Sequence, residues 1–421
     1  MAKPLKPTKP TRPPEPAKPA KPAKPAKPAK AARAARRAAA PPPGPTAPDL
    51  GALRQAIDHI DQTIIHALNR RAELVVQVGQ YKRAHGIPVY APHREAEVLS
   101  RVLGHSRGPL QPRTIEAVYR EVMSGSFALE RPISIGFLGP RGSFSHVAAV
   151  KHFGSSVDFQ DLREIAGVFT EVERGHVEYG LVPIENSIHG GVTESLDAFI
   201  AQGARDDEAR VRVYAEVQLE IHHALMANCA PDQVHTIYSK PEVFSQCRNW
   251  LATQYPKAEL VPVASSSRAV QIVAQQSVGR TPGEPGPSAA AIGNALAGEL
   301  YGVHVLFPRI EDNPNNITRF CVIARQSALR SGDDKTSIMF ATVNKPGALV
   351  SVLQDFHAAG VNLTHIDKRP SGRTNWSYTF FIDAQGHASD AHLSKALESA
   401  RRHCKELHIL GSYPRSKRIL A

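Results

Sequence analysis

Long apolar runs are missing from this 421-residue sequence, which also has only two tryptophans and four cysteines. No stretch of about 18 consecutive apolar residues occurs, so we expect no membrane-spanning helix. The first residues, MAKPLKPTKP, lack the apolar centre of a secretory signal. We therefore expect a cytoplasmic protein.

Metal-binding patterns are also missing. The cysteines are widely separated and form no CxxC pair, so neither a zinc site nor a disulfide framework is indicated, and free thiols are expected: Cys229, Cys247, Cys321 and Cys404. Several histidines occur in the middle of the chain without an acidic partner at a typical ligand spacing: His146, His189, His222 and His223. We expect no metal and no cofactor.

Net charge is nearly absent outside the first 48 residues. That segment holds eight Lys, four Arg and one Glu, and so carries +11 of the total of +12. Its repeats, such as KPAKPAKPAK, are rich in proline, which favours extended backbone and prevents a core. The segment is either a solvated, dispensable tail or an arm for an anionic partner. It has no interleaved aromatic residues to stack on bases, which argues against nucleic acid.

Residues 49–131 carry apolar residues at helical spacing. The longest helix is predicted to start at Asp49, a suitable N-cap, and to end at about His85, before Gly86-Ile87-Pro88. Two shorter helices are predicted at 93–103 and 112–130, since proline is tolerated in a first helical turn. We expect an all-α domain here.

Strand-like and helix-like segments alternate from Ile133 onward. ISIGFLG, YGLVPIE and ITRFCVIA are typical of strands, whereas EVFSQCRNWLATQY and SRAVQIVAQQ are typical of helices. This alternation predicts α/β layers over 132–327, with a surface loop at GRTPGEPGPS. Residues 335–421 predict the order βαββαβ of a ferredoxin-like α+β unit.

Three basic residues lie on the first predicted helix. Arg71 and Lys82 are 11 residues apart, which places them within about 20° of one helix face and about 16 Å apart along the axis. They could hold the two ends of a small dianion. Arg54 lies about 25 Å from Arg71 along the axis and about 100° around the helix, so only a second chain would bring it to the same site.

The segments LRQAIDHIDQTIIHALNRRAELVVQVGQYK, HREAEVL and SGSFALE resemble the helical chorismate mutase family. The resemblance implies a Claisen rearrangement of chorismate to prephenate, which needs a restrained conformer and stabilised charge but no nucleophile. It also implies that the substrate carboxylates are held by Arg71, Arg94 and Arg54 of the partner subunit. Lys82 would bind a carboxylate and the ether oxygen, and Glu95 the ring hydroxyl. Ser126 and Glu130 would close the site.

Two positions depart from that family pattern. Ala91 stands where many relatives have an acidic residue, and Glu130 stands where several have glutamine. A carboxylate facing the ether oxygen helps only when it is protonated. The alternative interpretation of this region is a helix bundle with solvated arginines.

A second group of segments resembles prephenate dehydratase over about 133–325: GFLGPRGSFSHVAA, VPIENSIHGGV, EVFSQCRNW, AAIGNALAGELYG and NITRF. The family fold is a pair of α/β lobes, periplasmic-binding-like of type 2, with the active site in the cleft between them. The reaction expels CO2 and a ring hydroxyl, which a hydroxyl donor assists. The resemblance implies that Thr318 is essential, that Arg319 organises the site or attracts the dianion, and that Phe320 packs.

Further polar residues are candidates for holding the dehydratase substrate. Glu185, Asn186 and Ser187 end a predicted strand and precede Gly190-Gly191, a setting that suits anion binding. The remaining cleft candidates are Ser143, Ser145 and Ser266.

Residues 335–421 resemble an ACT domain, a small amino-acid sensor. The resemblance implies that phenylalanine binds between two stretches, usually at a dimer interface: Gly347, Ala348, Leu349 and Val350 in the first, and Asn362, Leu363, Thr364 and Asp367 in the second. The second stretch ends in Asp-Lys-Arg-Pro, where the family usually has Glu-Ser-Arg-Pro. The alternative is a domain used only for dimerisation.

Together the patterns predict a homodimer or higher homo-oligomer that makes prephenate, converts it to phenylpyruvate and is inhibited by phenylalanine. Two rival interpretations remain. The first keeps only the dehydratase, with the helical domain used for dimerisation. The second is an amino-acid-responsive binding protein, which would not need the acid at Thr318.

Overall fold

The computed structural model describes residues 49–203, 211–277, 289–371 and 377–420. The predicted basic tail over 1–48 and the whole of the predicted loop over 279–288 lie outside these residues. Within the described ranges, no helix is both long and apolar enough to cross a membrane.

Three helices open the described chain: α1 (Leu50–Ala84), α2 (Pro92–His105) and α3 (Pro112–Glu130). Asp49 caps α1, because its Oδ1 accepts a hydrogen bond from the backbone N–H of Gly51 at 3.1 Å. Prolines occupy the first turn of α2 and α3, where a missing N–H has no cost. The three predicted helices are confirmed.

Strands and helices then alternate as predicted. In chain order they are β1 (Ser134–Leu138), α4 (Phe144–Phe153), β2 (Asp158–Leu162), α5 (Ile165–Arg174), β3 (Tyr179–Asn186), β4 (Gly190–Gly191), α6 (Thr193–Gly203), β5 (Arg212–Glu220), β6 (Ala224–Ala227), β7 (Thr236–Ser239), α7 (Pro241–Gln246), α8 (Arg248–Gln254), β8 (Glu259–Pro262), α9 (Ser266–Ser277), β9 (Ala289–Gly293), α10 (Ala295–Tyr301), β10 (Val305–Phe307) and β11 (Ile317–Ala324).

The C-terminal elements are β12 (Asp334–Thr342), α11 (Ala348–Ala358), β13 (Leu363–Pro370), β14 (Tyr378–Gln385), α12 (Ala391–Arg401), β15 (Cys404–Pro414) and β16 (Ile419–Leu420). The first six confirm the predicted βαββαβ order. Their four strands form a sheet in the order β13-β14-β12-β15. The final strand, β16, was not predicted. It leaves this domain and pairs in parallel with β5.

The α/β region is divided into two lobes by its sheets. The first lobe has the order β16-β5-β11-β3-β1-β2, with β4 paired to β3, and the second has β10-β6-β9-β7-β8. The chain passes between the lobes after β5 and returns before β11. Strand ends at these two crossings therefore face the space between the lobes.

The loop between α1 and α2 is anchored in the core of the first lobe. Tyr90 is only 1% exposed, and its ring makes edge contacts with Phe153, Tyr179 and Tyr214. Tyr214 also donates its hydroxyl to the backbone oxygen of Tyr90 at 2.9 Å. This aromatic cluster fixes the start of α2 on the lobe, a contact that helical periodicity could not predict.

Packing of α5 onto β3 depends on Gly180. A Cβ at this position would lie 2.7 Å from Val168 Cγ1 and 2.8 Å from Ile323 Cγ1, closer than carbon atoms approach without strain. Gly167 lies on the same helix, and its nearest neighbour would be 3.6 Å away, an ordinary contact.

We predict that Gly180→Ala destabilises the first lobe by about 1–3 kcal/mol through overpacking. Gly167→Ala should instead be neutral or gain up to about 1 kcal/mol from helix propensity. Denaturant midpoints of the two variants, measured by circular dichroism, check this. Equal midpoints for the two would contradict the packing argument.

Candidate active sites

Four of the predicted mutase residues form two pairs between α1 and α3. Arg71 donates from Nη1 to Ser126 Oγ at 2.6 Å, and Lys82 Nζ lies 2.7 Å from Glu130 Oε2. Lys82 also donates to the backbone oxygen of Val89 at 2.9 Å. Glu130 is buried, so its charge depends on Lys82 for compensation.

Gly79 allows the close approach of α1 and α3 at the Lys82–Glu130 pair. Among the residues of α1, all of which the structure describes, Gly79 alone is buried. A Cβ there would lie 2.9 Å from the Cα of Glu130. Any side chain at this position would push α3 away from α1. No separate pattern in the sequence signals this contact.

The other three predicted mutase residues make different contacts. Arg94 is exposed and pairs with Glu97 at 2.7 Å. Glu95 forms a buried ion pair with Arg120. Burial opposes ionisation of Glu95, but the Arg120 guanidinium outweighs it and lowers the pKa of this carboxyl. Arg54 is exposed on the first turns of α1. Their predicted substrate contacts remain predictions.

Thr318 lies beside Asn186 on adjacent antiparallel strands. The two are opposed residues of β11 and β3, so their side chains lie on the same face of the sheet. Asn186 Nδ2 donates to Thr318 Oγ1 at 2.9 Å and to Asn316 Oδ1 at 2.8 Å. The structure thus joins two residues that the sequence predicted separately.

The orientation of the Asn186 amide is fixed by its neighbours. Its Oδ1 accepts from the backbone N–H groups of Ile188 and His189 at 3.0 and 3.1 Å. Backbone N–H groups only donate, so the other end of the amide must be the nitrogen that faces Thr318. Because Thr318 Oγ1 accepts that bond, its own hydrogen points away from Asn186. The hydroxyl is therefore oriented as a donor.

A hydrogen-bonded chain continues from this pair into the second lobe. Asn316 donates from Nδ2 to Gln246 Oε1 at 3.3 Å, and Gln246 Oε1 lies 2.6 Å from His223 Nε2. Burial lowers the pKa of His223, so the ring is neutral near pH 7 and its Nε2–H donates to Gln246. Gln246 ends α7 of the second lobe. This series of hydrogen bonds therefore crosses the cleft between the two lobes.

The predicted serines have structural partners. Ser143 caps α4, since its Oγ accepts from the His146 N–H at 3.3 Å and donates to the Leu138 oxygen at 2.8 Å. Ser187 Oγ accepts from the Ile317 N–H at 2.9 Å, which ties the end of β3 to β11. Ser145 and Ser266 are buried near the starts of α4 and α9. Their contact with substrate remains a prediction.

The pair of opposed residues next to Thr318 and Asn186 on strands β11 and β3 is Arg319 and Glu185. Each such pair is called a rung of the β3–β11 ladder. Neighbouring residues of a strand point to opposite faces, and Arg319 indeed faces the C-terminal domain. Its Nε lies 3.2 Å from Glu185 Oε2, and its Nη1 contacts Asp383 of β14. His365 of β13 lies 3.3 Å from Glu185 Oε1. Phe320 is buried, as expected.

The predicted effector residues lie on the C-terminal domain in two places. Gly347 caps α11 with φ of 78°, a conformation that favours glycine, and Val350 on the next turn is exposed. Asn362 and Thr364 are exposed at the start of β13. Asp367 approaches Gly191 of the first lobe so closely that a side chain on Gly191 would collide with its carboxylate. The predicted effector stretch therefore contacts the first lobe directly.

Three family models match the chain in order: chorismate mutase type II over 53–131, prephenate dehydratase over 135–328, and the ACT domain over 336–402. A bifunctional chorismate mutase/prephenate dehydratase from Stutzerimonas stutzeri is 39% identical over 377 residues, covering 88% of this chain and 99% of that protein. The chain belongs to this family of bifunctional enzymes.

Solved structures agree over the α/β and C-terminal regions. A prephenate dehydratase from Arthrobacter aurescens in complex with L-Phe is 31% identical, with a TM-score of 0.60, covering 69% of this chain and 92% of that one. A prephenate dehydratase from Staphylococcus aureus is 27% identical, with a TM-score of 0.56, covering 67% of this chain and all of that one. These matches and the family membership confirm the predicted fold class and both predicted enzyme activities.

Three residues at the candidate sites are not predicted from the sequence. Gln246 and Asn316 lie within the quoted segments EVFSQCRNW and NITRF, so the segments signalled them although no role was assigned. Arg120 had no such signal. A lone arginine in an amphipathic helix usually faces solvent, whereas this one is buried against Glu95.

We predict that Thr318→Val, which removes the hydroxyl at nearly constant volume, lowers dehydratase kcat by about 10²–10⁴-fold. Thr318→Ser should retain most of the activity, since it keeps a donor beside Asn186. Prephenate turnover measures the effect, and the mutase rate of the same variants is the folding control. A Thr318→Val enzyme with the wild-type dehydratase rate would contradict the assignment.

Proposed function

We propose that the two activities of this family reside in the two residue groups described above. Arg71, Lys82, Ser126 and Glu130 would serve the rearrangement of chorismate to prephenate. The cleft beside Thr318 would serve the conversion of prephenate to phenylpyruvate. The observation that carries the proposal is the Asn186–Thr318 bond of 2.9 Å, because it orients a hydroxyl donor.

The mutase step needs cations around the breaking C–O bond. The contacts of Lys82 support this role, since its ammonium group is held by Glu130 and by the Val89 oxygen at one end of the α1–α3 contact. Arg71, one end of the predicted dianion grip, is held by Ser126. In the structure these groups satisfy one another. Substrate carboxylates would replace Ser126 and Glu130 as partners of the two cations.

The dehydratase step expels two groups from one ring. The ring carboxylate leaves as CO2, its electron pair enters the ring, and the hydroxyl leaves with the Thr318 proton as water. Aromatisation drives the reaction, so the protein must only protonate the leaving oxygen and hold the substrate. Solvent would return the proton to Thr318. Asn186 keeps the Thr318 hydroxyl oriented as a donor throughout the catalytic cycle.

We propose a homodimer formed by α1. Residues of α1 from Gln62 to Ala84 include exposed Ile64, Ile65, Leu74 and Val78, each close to half exposed or more. Exposed apolar residues in this number on one helix indicate an interaction surface. Arg54, on the earlier turns of the same helix, would then reach the mutase group of the partner subunit, which fits the 25 Å separation estimated for one helix.

We also propose that phenylalanine binds the C-terminal domain and inhibits the dehydratase. The complex of the related Arthrobacter enzyme with L-Phe supports this effector, and so do the exposed glycine cap at Gly347 and the exposed residues Asn362 and Thr364. Four free cysteines support a reducing, cytoplasmic location.

One coupled assay tests the proposal. With chorismate as the only substrate, the wild type should accumulate phenylpyruvate, and phenylalanine at millimolar concentration should slow it. Lys82→Met should stop consumption of chorismate while prephenate supplied directly is still converted. Thr318→Val should accumulate prephenate. Ultraviolet absorbance of the three compounds is the measurement.

The outcomes separate the parts of the proposal. Loss of both reactions in Lys82→Met would mean that the helical segment only stabilises the enzyme. Phenylpyruvate formation unaffected by phenylalanine would remove the regulatory role. Light scattering with elution volume reports the dimer, and a monomeric wild type would contradict it.

A further inference from the structure

Successive rungs of one ladder face two different domains. On β11 and β3, the rung Thr318–Asn186 carries the proposed proton donor, and the rung Arg319–Glu185 follows it directly. Side chains of neighbouring rungs point to opposite faces. The first rung faces the cleft, and the second faces the C-terminal domain.

The second rung is held by ion pairs to that domain. Arg319 contacts Asp383 of β14, and His365 of β13 lies 3.3 Å from Glu185 Oε1. Lys335 of β12 binds both oxygens of Glu216 on β5, each at 3.0 Å. The Asp383, Glu216 and Arg319 side chains are respectively 4%, 1% and 12% exposed. Separating these charges in a buried setting would be costly, so the two faces must move together.

Asp383 is further constrained within its own domain. Ser337 donates to Asp383 Oδ1 at 2.5 Å and lies 2.6 Å from the Tyr413 hydroxyl. Burial opposes ionisation of Asp383, but Arg319 and Lys335 outweigh it and lower the pKa of its carboxyl. The carboxylate is therefore charged and fixed at neutral pH. The Asp383 carboxylate therefore moves with the sheet that contains β12 and β14.

We propose that Arg319 and Glu185 are positioning residues, which transmit the state of the C-terminal domain to Thr318 and Asn186 through the shared strands and do not touch the substrate. This inference rests on the proposed function, because it needs phenylalanine to bind that domain. Of the two roles expected for Arg319, it favours organising the site over attracting the dianion, and it gives Glu185 a role other than the substrate binding expected from its place at a strand end.

The strand β13 explains how an effector would reach this rung. It carries the predicted effector residues Leu363, Thr364 and Asp367, and between them His365, whose ring contacts Glu185. Displacement of β13 by an effector would change the contact at Glu185. Because Glu185 and Asn186 are consecutive in β3, the amide that aims Thr318 would move with it.

A second interdomain ion pair supplies a matched control. Arg369 of β13 binds Asp197 of α6 through two hydrogen bonds of 2.9 and 2.7 Å. Asp197 lies on a helix and not on either strand of the ladder. Asp197→Asn therefore breaks a contact between the same two domains, with the same change of charge as Asp383→Asn, but away from the Thr318 rung.

The first experiment measures phenylalanine affinity by calorimetry and dehydratase inhibition in the full-length enzyme. Asp383→Asn should bind phenylalanine within about threefold of wild type, while inhibition at saturation falls to less than about twofold. Asp197→Asn should be inhibited like wild type. Full inhibition of Asp383→Asn would overturn the proposal, as would equal loss of inhibition in both variants.

His365→Gln gives a second route if the buried substitution prevents folding, which loss of the mutase rate would reveal. It replaces the imidazole Nδ1 that lies 3.3 Å from Glu185 with a longer neutral amide and leaves Glu185 paired with Arg319, so it changes the geometry of the contact, and it should also weaken inhibition more than affinity. Full inhibition of a folded His365→Gln enzyme would likewise overturn the proposal.

The second experiment separates positioning from substrate contact. Arg319→Lys keeps the charge but changes the geometry of the cluster. It should lower dehydratase kcat by about 10–100-fold with little change in the KM for prephenate. A raised KM with unchanged kcat would show that Arg319 binds the substrate, and would overturn the positioning role.

The wild type distinguishes failure of the proposal from failure of the proposed function. If phenylalanine neither binds nor inhibits the wild-type enzyme, the regulatory function and the transmission fail together. The kcat and KM of Arg319→Lys then still decide whether Arg319 positions Thr318.

Discussion

The organisation of the dehydratase region depends on the antiparallel pairing of β3 with β11. These strands are distant in sequence, and their register places Thr318 opposite Asn186 and Arg319 opposite Glu185. A slip of one residue would turn each side chain to the other face. The hydroxyl would then face the C-terminal domain, and the arginine would enter the cleft. The register therefore turns the rung of the proposed proton donor to the cleft and the next rung to interdomain contact.

The same region shows what a sequence can and cannot predict. Motif order predicted both Thr318 and Asn186 for the dehydratase site, and the structure joins them by a hydrogen bond. The resemblance also implied a role for Arg319 at this site, and strand alternation turns its side chain toward Asp383. The partner that decides its environment lies 64 residues away, in a domain whose placement no local pattern specifies.

In the helical region, too, some contacts follow from the sequence and others do not. Helical spacing placed Arg71 and Lys82 on one face, and the structure pairs them with Ser126 and Glu130 on α3. Spacing could not predict that Gly79 would let α3 approach, or that Arg120 would be buried against Glu95. Both depend on packing between helices, which the periodicity of one helix leaves open. The fold class followed from the sequence because alternation and motif order are local properties.

Transmission from the C-terminal domain to the cleft is the central claim, and hydrogen–deuterium exchange tests it most directly. In the wild type, phenylalanine should change amide exchange in β13 and also in Ile317–Ala324 and Tyr179–Asn186, since the ladder moves as a unit. In Asp383→Asn, the change in β13 should remain while the change in the two catalytic strands disappears. A wild type that is inhibited by phenylalanine with no change of exchange in those two strands would contradict the account.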